Sequence, residues 1–195
     1  MQQIDISIFV ASGSEISNEL RKEIRDTLEV ELINTNLSVL LCYPNRLTDA
    51  VIQQCITNLK DELKKLDAII YEGGGKQKLP QINSAYSHIS ELDFIKKNCD
   101  SVVVFVFDEL TLSQITLISY YFISKVIKTP DIIIIHNDYI KNLDKFFSSG
   151  IFQYCDDNNI KTFNINEIQN EKMEELIRRI RNKKLVSKNN GLLGG

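Results

Sequence analysis

The chain has 195 residues, of which 43% are hydrophobic and 25% charged, which is the balance of a globular protein and excludes a disordered chain. This length suits one domain of ordinary size and leaves little room for two. The 23 basic and 26 acidic residues give a net charge of −3, so the composition excludes an overall basic surface, and we expect no direct nucleic-acid partner.

The amino-terminal segment MQQIDISIFV lacks the basic stretch and the long apolar core of a secretion signal. No apolar run approaches the roughly 20 residues that are needed to span a bilayer. We therefore expect a cytoplasmic protein with no membrane partner. The cysteines Cys42, Cys55, Cys99 and Cys155 have no CxxC spacing, so they are expected to be reduced and mostly buried, without a metal site.

Short apolar runs alternate with helical patterns along the chain. A first strand is predicted in DISIFVAS, followed by a helix in which Ile16, Leu20, Ile24 and Leu28 form one apolar stripe. Five more strand and helix pairs follow: SVLLCYP with a helix over 49–66, DAIIYEGGG with 84–98, SVVVFVFDE with 112–126, DIIIIHND with 139–149, and IKTFNIN with 167–184.

This alternation predicts a single-domain, Rossmann-like α/β fold over residues 1–186, with a mostly parallel sheet of five or six strands and helices on both faces. The second to fifth predicted strands are nearly continuous apolar runs, which is typical of strands that are buried on both faces. The glycine-rich segment 187–195 is expected to be a flexible tail.

Parallel sheets bind ligands at the carboxyl ends of their strands, so the predicted strand ends carry the candidate site. After the first strand, Ser12, Gly13 and Ser14 permit a ligand to approach a helix start closely, and they serve equally well as a turn and cap. After the second strand, Tyr43 suits stacking on a base and Arg46 suits a phosphate. The alternative for this pair is a turn with a surface charge.

The third strand ends in YEGGGKQ. Gly73, Gly74 and Gly75 can present backbone N–H groups to an anion, or they can form an ordinary loop. Glu72, directly before them, is placed to accept hydrogen bonds from ribose hydroxyls, and a solvated carboxylate is the alternative.

The fourth strand ends in Asp108 and Glu109, which suit either acid–base chemistry or a helix cap with a first-turn charge. The surrounding segment FIKKNCDSVVVFVFDELTLSQITLISYYFISKVIKTPDIIIIHND resembles the second half of nucleoside 2-deoxyribosyltransferase-like domains and the related nucleosidase-like effectors of retron and other antiphage systems. The first strand and helix also resemble those of TIR-like domains. The resemblance places Thr111 and Gln114 on the Thr and Glu of a GTxxE-like segment, whose Glu attacks the sugar.

Gln114 departs from that pattern, because an amide forms hydrogen bonds but cannot act as the base or nucleophile. The resemblance therefore implies a nucleotide- or nucleoside-binding module of an antiphage defence system, catalytically degenerate and without a cofactor, acting as a sensor or accessory subunit. Its ligand would be a nucleotide, a nucleoside or an NAD-like molecule. An active N-glycosidase, NAD hydrolase or deoxyribosyltransferase that uses Glu72, Asp108 or Glu109 is the alternative.

A third hypothesis is a protein-interaction subunit. The predicted helix LSQITLISYYFISKVI is hydrophobic around much of its circumference, so it is either buried on all sides or part of an interface with a second copy or a defence-system protein. The carboxyl-terminal GLLGG resembles the diglycine end of ubiquitin-like proteins and of some bacterial defence nucleotidyltransferases. That resemblance implies conjugation through Gly195, and an ordinary chain end is the alternative.

Overall fold

A computed structural model describes residues 37–73, 86–124, 130–142 and 148–192 of the chain. All of these residues belong to one compact unit, which covers residues 35–195. The predicted first strand and its helix lie outside the described residues, so they stay predictions.

The described residues form five strands, and helices follow each of them. The strands are β1 (Ser38–Cys42), β2 (Ile69–Gly73), β3 (Ser101–Val106), β4 (Asp131–His136) and β5 (Lys161–Asn164). The helices are α1 (Ala50–Lys65), α2 (Ser87–Asn98), α3 (Glu109–Ile123), α4 (Asp138–Asn142), α5 (Gln153–Asp157), α6 (Ile165–Glu167) and α7 (Met173–Leu192), with π-helical turns at Ser148–Phe152 and Ile168–Lys172.

All four neighbouring strand pairs are parallel, and the strand order is β2-β1-β3-β4-β5. In this register the last residue of β1, Cys42, is paired with Gly73 of β2 on one side and with Val104 of β3 on the other. The prediction of a mostly parallel, Rossmann-like sheet is confirmed.

Helices cover both faces of the sheet, as predicted. Alternate residues of a strand point to opposite faces, so Val39 and Leu41 join α1 and α7 in one hydrophobic core, whereas Leu40 and Cys42 join α2, α3, α4 and α5 in a second core. We call the side of α1 the first face and the side of α3 the second face. The four cysteines are free, and Cys42, Cys55 and Cys155 are buried.

The prediction of burial on both faces holds for β1, β3 and β4 but is wrong for β2. Every residue of β3 and β4 is buried. Among the described strands, β2 lies at an edge of the sheet, and its first residue, Ile69, is 41% exposed. An edge strand is covered less completely by the helices than the central strands are.

Several predicted helix boundaries differ from the structure. α3 begins at Glu109 instead of residue 112, because Asp108 caps it. Of the helix predicted over 139–149, the structure describes α4 and the start of the π-helical turn at Ser148–Phe152, whereas residues 143–147 lie outside the described residues. α7 continues to Leu192, past the predicted tail boundary at 186. In the part of the chain that the structure describes, no helix is long and apolar enough to cross a membrane.

Candidate functional site

The order of the strands reverses between β1 and β3, and open parallel sheets bind ligands beyond the carboxyl ends of the strands at such a switch point. From β1 the chain passes to α1 on the first face, and from β3 it passes to α3 on the second face. These two connections diverge, so the carboxyl ends of β1 and β3 are where the topology favours a ligand.

Gln114 extends from α3 toward this switch point. Its amide nitrogen Nε2 donates a hydrogen bond to Oε1 of Glu91, from α2, and lies 3.4 Å from the Sγ atom of Cys42 at the end of β1. The Cys42 Sγ atom is 3.8 Å from the same Glu91 oxygen. We call these three residues the switch-point cluster. The Gln114 side chain is thus half-buried and in contact with a carboxylate, not extended into solvent.

Among the described residues, the carbonyl oxygen of Gln114 has no matching partner. Oε1 is buried, and no hydrogen-bond donor among the described residues reaches it. A carboxylate can accept a hydrogen bond from the amide nitrogen but not from the carbonyl oxygen, so the contact with Glu91 fixes the orientation of the amide. A buried acceptor without a donor costs about 1–3 kcal/mol, and the usual partner of such an atom is a ligand or an ordered water.

Glu91 is the residue of the cluster that the sequence analysis missed. It precedes Ile95 by four positions, which places both side chains on the same side of α2, and Ile95 is fully buried. That spacing was the available signal. Gly73 leaves room for the carboxylate, because a Cβ atom on Gly73 would lie 2.9 Å from Glu91 Oε1 and 3.1 Å from Cys42 Sγ.

On the first face, Glu72 and Tyr43 are brought together. The Tyr43 hydroxyl donates to Glu72 Oε2, while Lys60 Nζ, from α1, lies 2.7 Å from Glu72 Oε1 and 5.2 Å from the centre of the Tyr43 ring. Burial, followed by the hydrogen bond and the negative charge of Glu72, raises the pKa of Tyr43 far above its ordinary value. Tyr43 therefore stays protonated and donates to a carboxylate that is also ion-paired.

The helices that start at the switch point are both capped by aspartates. Asp49 accepts hydrogen bonds from the backbone N–H groups of Val51 at 2.8 Å and Ile52 at 3.4 Å, at the start of α1. Asp108 accepts from the backbone N–H of Thr111 at 2.8 Å and from its hydroxyl at 2.6 Å, at the start of α3. Protein carboxylates thus occupy the positive ends of both helices, where a phosphate would otherwise bind.

The remaining predicted site residues are more scattered. Glu109 is exposed in the first turn of α3, and Arg46 is exposed in the connection after β1. The other predicted positions lie outside the described residues: Ser12, Gly13, Ser14, Gly74, Gly75 and Gly195.

The Cys-Asp pair that precedes β3, Cys99 and Asp100, lies at the amino-terminal ends of the strands, opposite the switch point. Asp100 Oδ2 accepts hydrogen bonds from the backbone N–H of Ser38 at 2.9 Å and from its hydroxyl at 2.8 Å. These contacts join the amino ends of β1 and β3, far along the strands from the switch-point cluster. In this chain Asp100 therefore has a structural role.

No model of a known protein family matches the sequence, and a search of curated proteins gives no match.

Proposed function

We propose that the protein binds a nucleoside or nucleotide at the switch point between β1 and β3. The observation that carries this proposal is the fixed amide of Gln114, whose nitrogen is held by Glu91 and whose buried carbonyl oxygen has no donor among the described residues. A ligand hydroxyl or amino group supplies the missing donor. Sites that combine a few oriented polar groups with an apolar surround are typical of small-molecule recognition.

The capping aspartates favour a ligand without a phosphate group, that is, a nucleoside over a nucleotide. A phosphate placed at the start of α1 or α3 meets the carboxylate of Asp49 or Asp108 and finds the first N–H groups already bonded. We therefore expect a nucleoside to bind more tightly than its 5′-monophosphate.

The same geometry favours binding without turnover. Position 114 carries an amide, which neither accepts a proton from water nor attacks the sugar. A sensor or accessory subunit of an antiphage defence system fits such a module, and this part of the proposal rests on the resemblance of the segment around α3.

A second function, hydrolysis of an N-glycosidic bond, is favoured by one observation: Glu91 puts a carboxylate in contact with Gln114. In this reaction Glu91 takes a proton from water, the water oxygen bonds to C1′, and the C1′–N bond breaks as the base leaves with its electron pair and gains a proton. Glu91 would then replace Glu72, Asp108 and Glu109 as the acting carboxylate.

One experiment separates the two functions. The purified chain is titrated by calorimetry with ribo- and deoxynucleosides, their 5′-monophosphates and NAD, and the same samples are analysed by chromatography for free base. For Gln114→Met we expect about tenfold weaker binding. Gln153→Met is the matched control, because Gln153 is exposed and bonds only within α5 among the described residues.

Binding without free base supports the binding module. Free base that disappears in Glu91→Gln supports hydrolysis. If no compound of the panel binds, or if Gln153→Met weakens binding as much as Gln114→Met does, the switch-point proposal is wrong.

A further inference from the structure

α3 has two contrasting faces. One face is buried against the sheet in the second core, through Leu112, Ile115, Ile118 and Phe122. On the opposite face, Leu110 is 48% exposed, Leu117 is 37% exposed and Tyr120 is 66% exposed. The sequence predicts that this helix is either buried on all sides or part of an interface. The structure shows that one side of it is apolar and exposed.

The exposed residues follow a regular spacing. Leu110, Ser113, Leu117, Tyr120 and Ser124 are separated by three, four, three and four positions, which places them in one narrow line along the helix. We call this line the outer stripe. Its spacing is the one with which a helix packs along another helix.

The outer stripe lacks the charges of an ordinary solvent-facing helix. Residues 110–124 contain no Asp, Glu, Lys or Arg. By contrast, the last turns of α1 carry five charged residues: Lys60, Asp61, Glu62, Lys64 and Lys65. Since surface helices normally place charged residues away from the core, the outer stripe has the composition of a contact surface.

Two hydroxyl groups on this side of α3, those of Ser113 and Thr116, do not require water. Ser113 Oγ donates to the backbone oxygen of Glu109 at 2.8 Å, and Thr116 Oγ1 donates to that of Leu112 at 2.8 Å. Both hydroxyls are therefore already bonded within the helix. A partner can cover this face without leaving these donors unpaired.

We propose that the outer stripe binds the outer stripe of a second copy, with the two α3 helices antiparallel and the two-fold axis at Leu117. In this arrangement Leu117 lies against Leu117 of the other copy. Ser113, four positions before the axis, lies against Tyr120, three positions after the axis in the other copy. Leu110 and Ser124 are each seven positions from the axis and lie against each other. Away from the axis, large residues are thus matched with small ones, and each of these contacts occurs twice, as two-fold symmetry requires.

Charge favours the same orientation. A parallel pair would place the two Glu109 carboxylates side by side. In the antiparallel pair each Glu109 is eight positions from the axis, which separates the two carboxylates by about 24 Å along the helices. The helix dipoles are also opposed, which is the favourable arrangement for neighbouring helices.

The mass of the chain in solution tests the proposal. We expect sedimentation equilibrium to give twice the 22.4 kDa of one chain. Tyr120→Glu is expected to raise the dissociation constant of the dimer by at least about thirtyfold. Tyr139→Glu is the matched control, because Tyr139 is 71% exposed on α4 and lies outside the outer stripe. A monomeric wild type, or a dimer that Tyr120→Glu leaves unchanged, overturns the proposal.

Disulfide formation tests the orientation. At the two-fold axis Leu117→Cys faces its own copy, so mild oxidation is expected to link two chains, provided that the Cα atoms approach within about 7 Å. Leu110→Cys is expected to link only when it is combined with Ser124→Cys, and the wild type is expected to stay unlinked. Linkage of Leu110→Cys alone, or no linkage in Leu117→Cys, contradicts the antiparallel arrangement.

Discussion

His136, the last residue of β4, is buried with 4% of its surface exposed. Its Nδ1 atom lies 3.1 Å from the backbone oxygen of Asn137, and its ring packs edge-on against Phe152 with the ring centres 5.1 Å apart. These contacts hold the imidazole against Phe152 at the carboxyl end of the sheet.

Burial lowers the pKa of His136 below its ordinary value of 6.5, although the Asn137 carbonyl and the carboxylates of Asp138 and Glu167 act in the opposite direction. The unfolded chain therefore takes up a proton at a higher pH than the folded chain does. Stability is present in full above the unfolded pKa, and we expect it to fall as the pH drops below about 6.5 toward the lower folded pKa.

Urea unfolding measured from about pH 8 to about pH 5 checks this expectation. His136→Gln is expected to flatten the decline of the unfolding free energy in the acid range. His88→Gln, which removes an exposed histidine of α2, serves as the control. An equal decline in wild type and His136→Gln would assign the pH dependence to other groups.

At the residue scale, the candidate site could be predicted only in part from the sequence. The position of Gln114 after an apolar strand marked it as a site residue, and the structure brings it to the end of β1. Its contact with Glu91 was not predictable from local pattern, because the two residues are 23 positions apart and belong to different helices. Such a contact depends on how the helices pack.

At the scale of single elements, the cap at the start of α3 gives Asp108 a structural role that requires no catalytic one. Asp108 and Thr111 form a reciprocal cap, in which each side chain bonds to the backbone of the other. This arrangement satisfies N–H groups that have no partner within the helix. It explains why Asp108 follows an apolar strand without assigning it any chemistry.

We expect Asp108→Ala to lower the free energy of unfolding by about 1 kcal/mol, and Asp108→Asn to leave it nearly unchanged, because Asn also caps helices well. Chemical denaturation of both variants provides the measurement. Glu109→Ala is the control, since Glu109 is exposed and not part of the cap. If Asp108→Asn kept its stability, as expected, and yet lost nucleoside binding, Asp108 would have a role beyond capping.

The strands were easier to predict than their places in the sheet. Continuous Val, Ile and Phe in β3 and β4 indicated burial on both faces, and these strands are fully buried. β2 has a similar apolar start but lies at an edge among the described strands. Strand order is set by long-range pairing, so composition alone did not distinguish an edge strand from a central one.

At the scale of the whole molecule, α3 connects the two proposals. Its inward side carries Gln114, which reaches the end of β1, and its outward side carries Leu117 and Tyr120. A dimer through the outer stripe would therefore fix the helix that contributes Gln114 to the ligand site. Each proposal is tested by its own variant, because Gln114 and Tyr120 lie on different sides of the helix.

The described residues of the two cores lie between Leu37 and Ile180, and residues 35–195 form a compact unit. We therefore expect a fragment of residues 35–195 to fold by itself, since a core of this size stabilises domains of similar length. Circular dichroism during heating should give one cooperative transition, whereas binding of a hydrophobic dye together with loss of near-ultraviolet signal would contradict this expectation.

The same fragment tests the predicted residues of the amino-terminal segment. Ser12, Gly13 and Ser14 are absent from it, whereas Gln114 and Glu91 remain. If the folded fragment binds the same nucleoside as the full chain, the described side chains suffice for recognition. If it folds but binds at least about tenfold more weakly, the described side chains do not suffice for recognition.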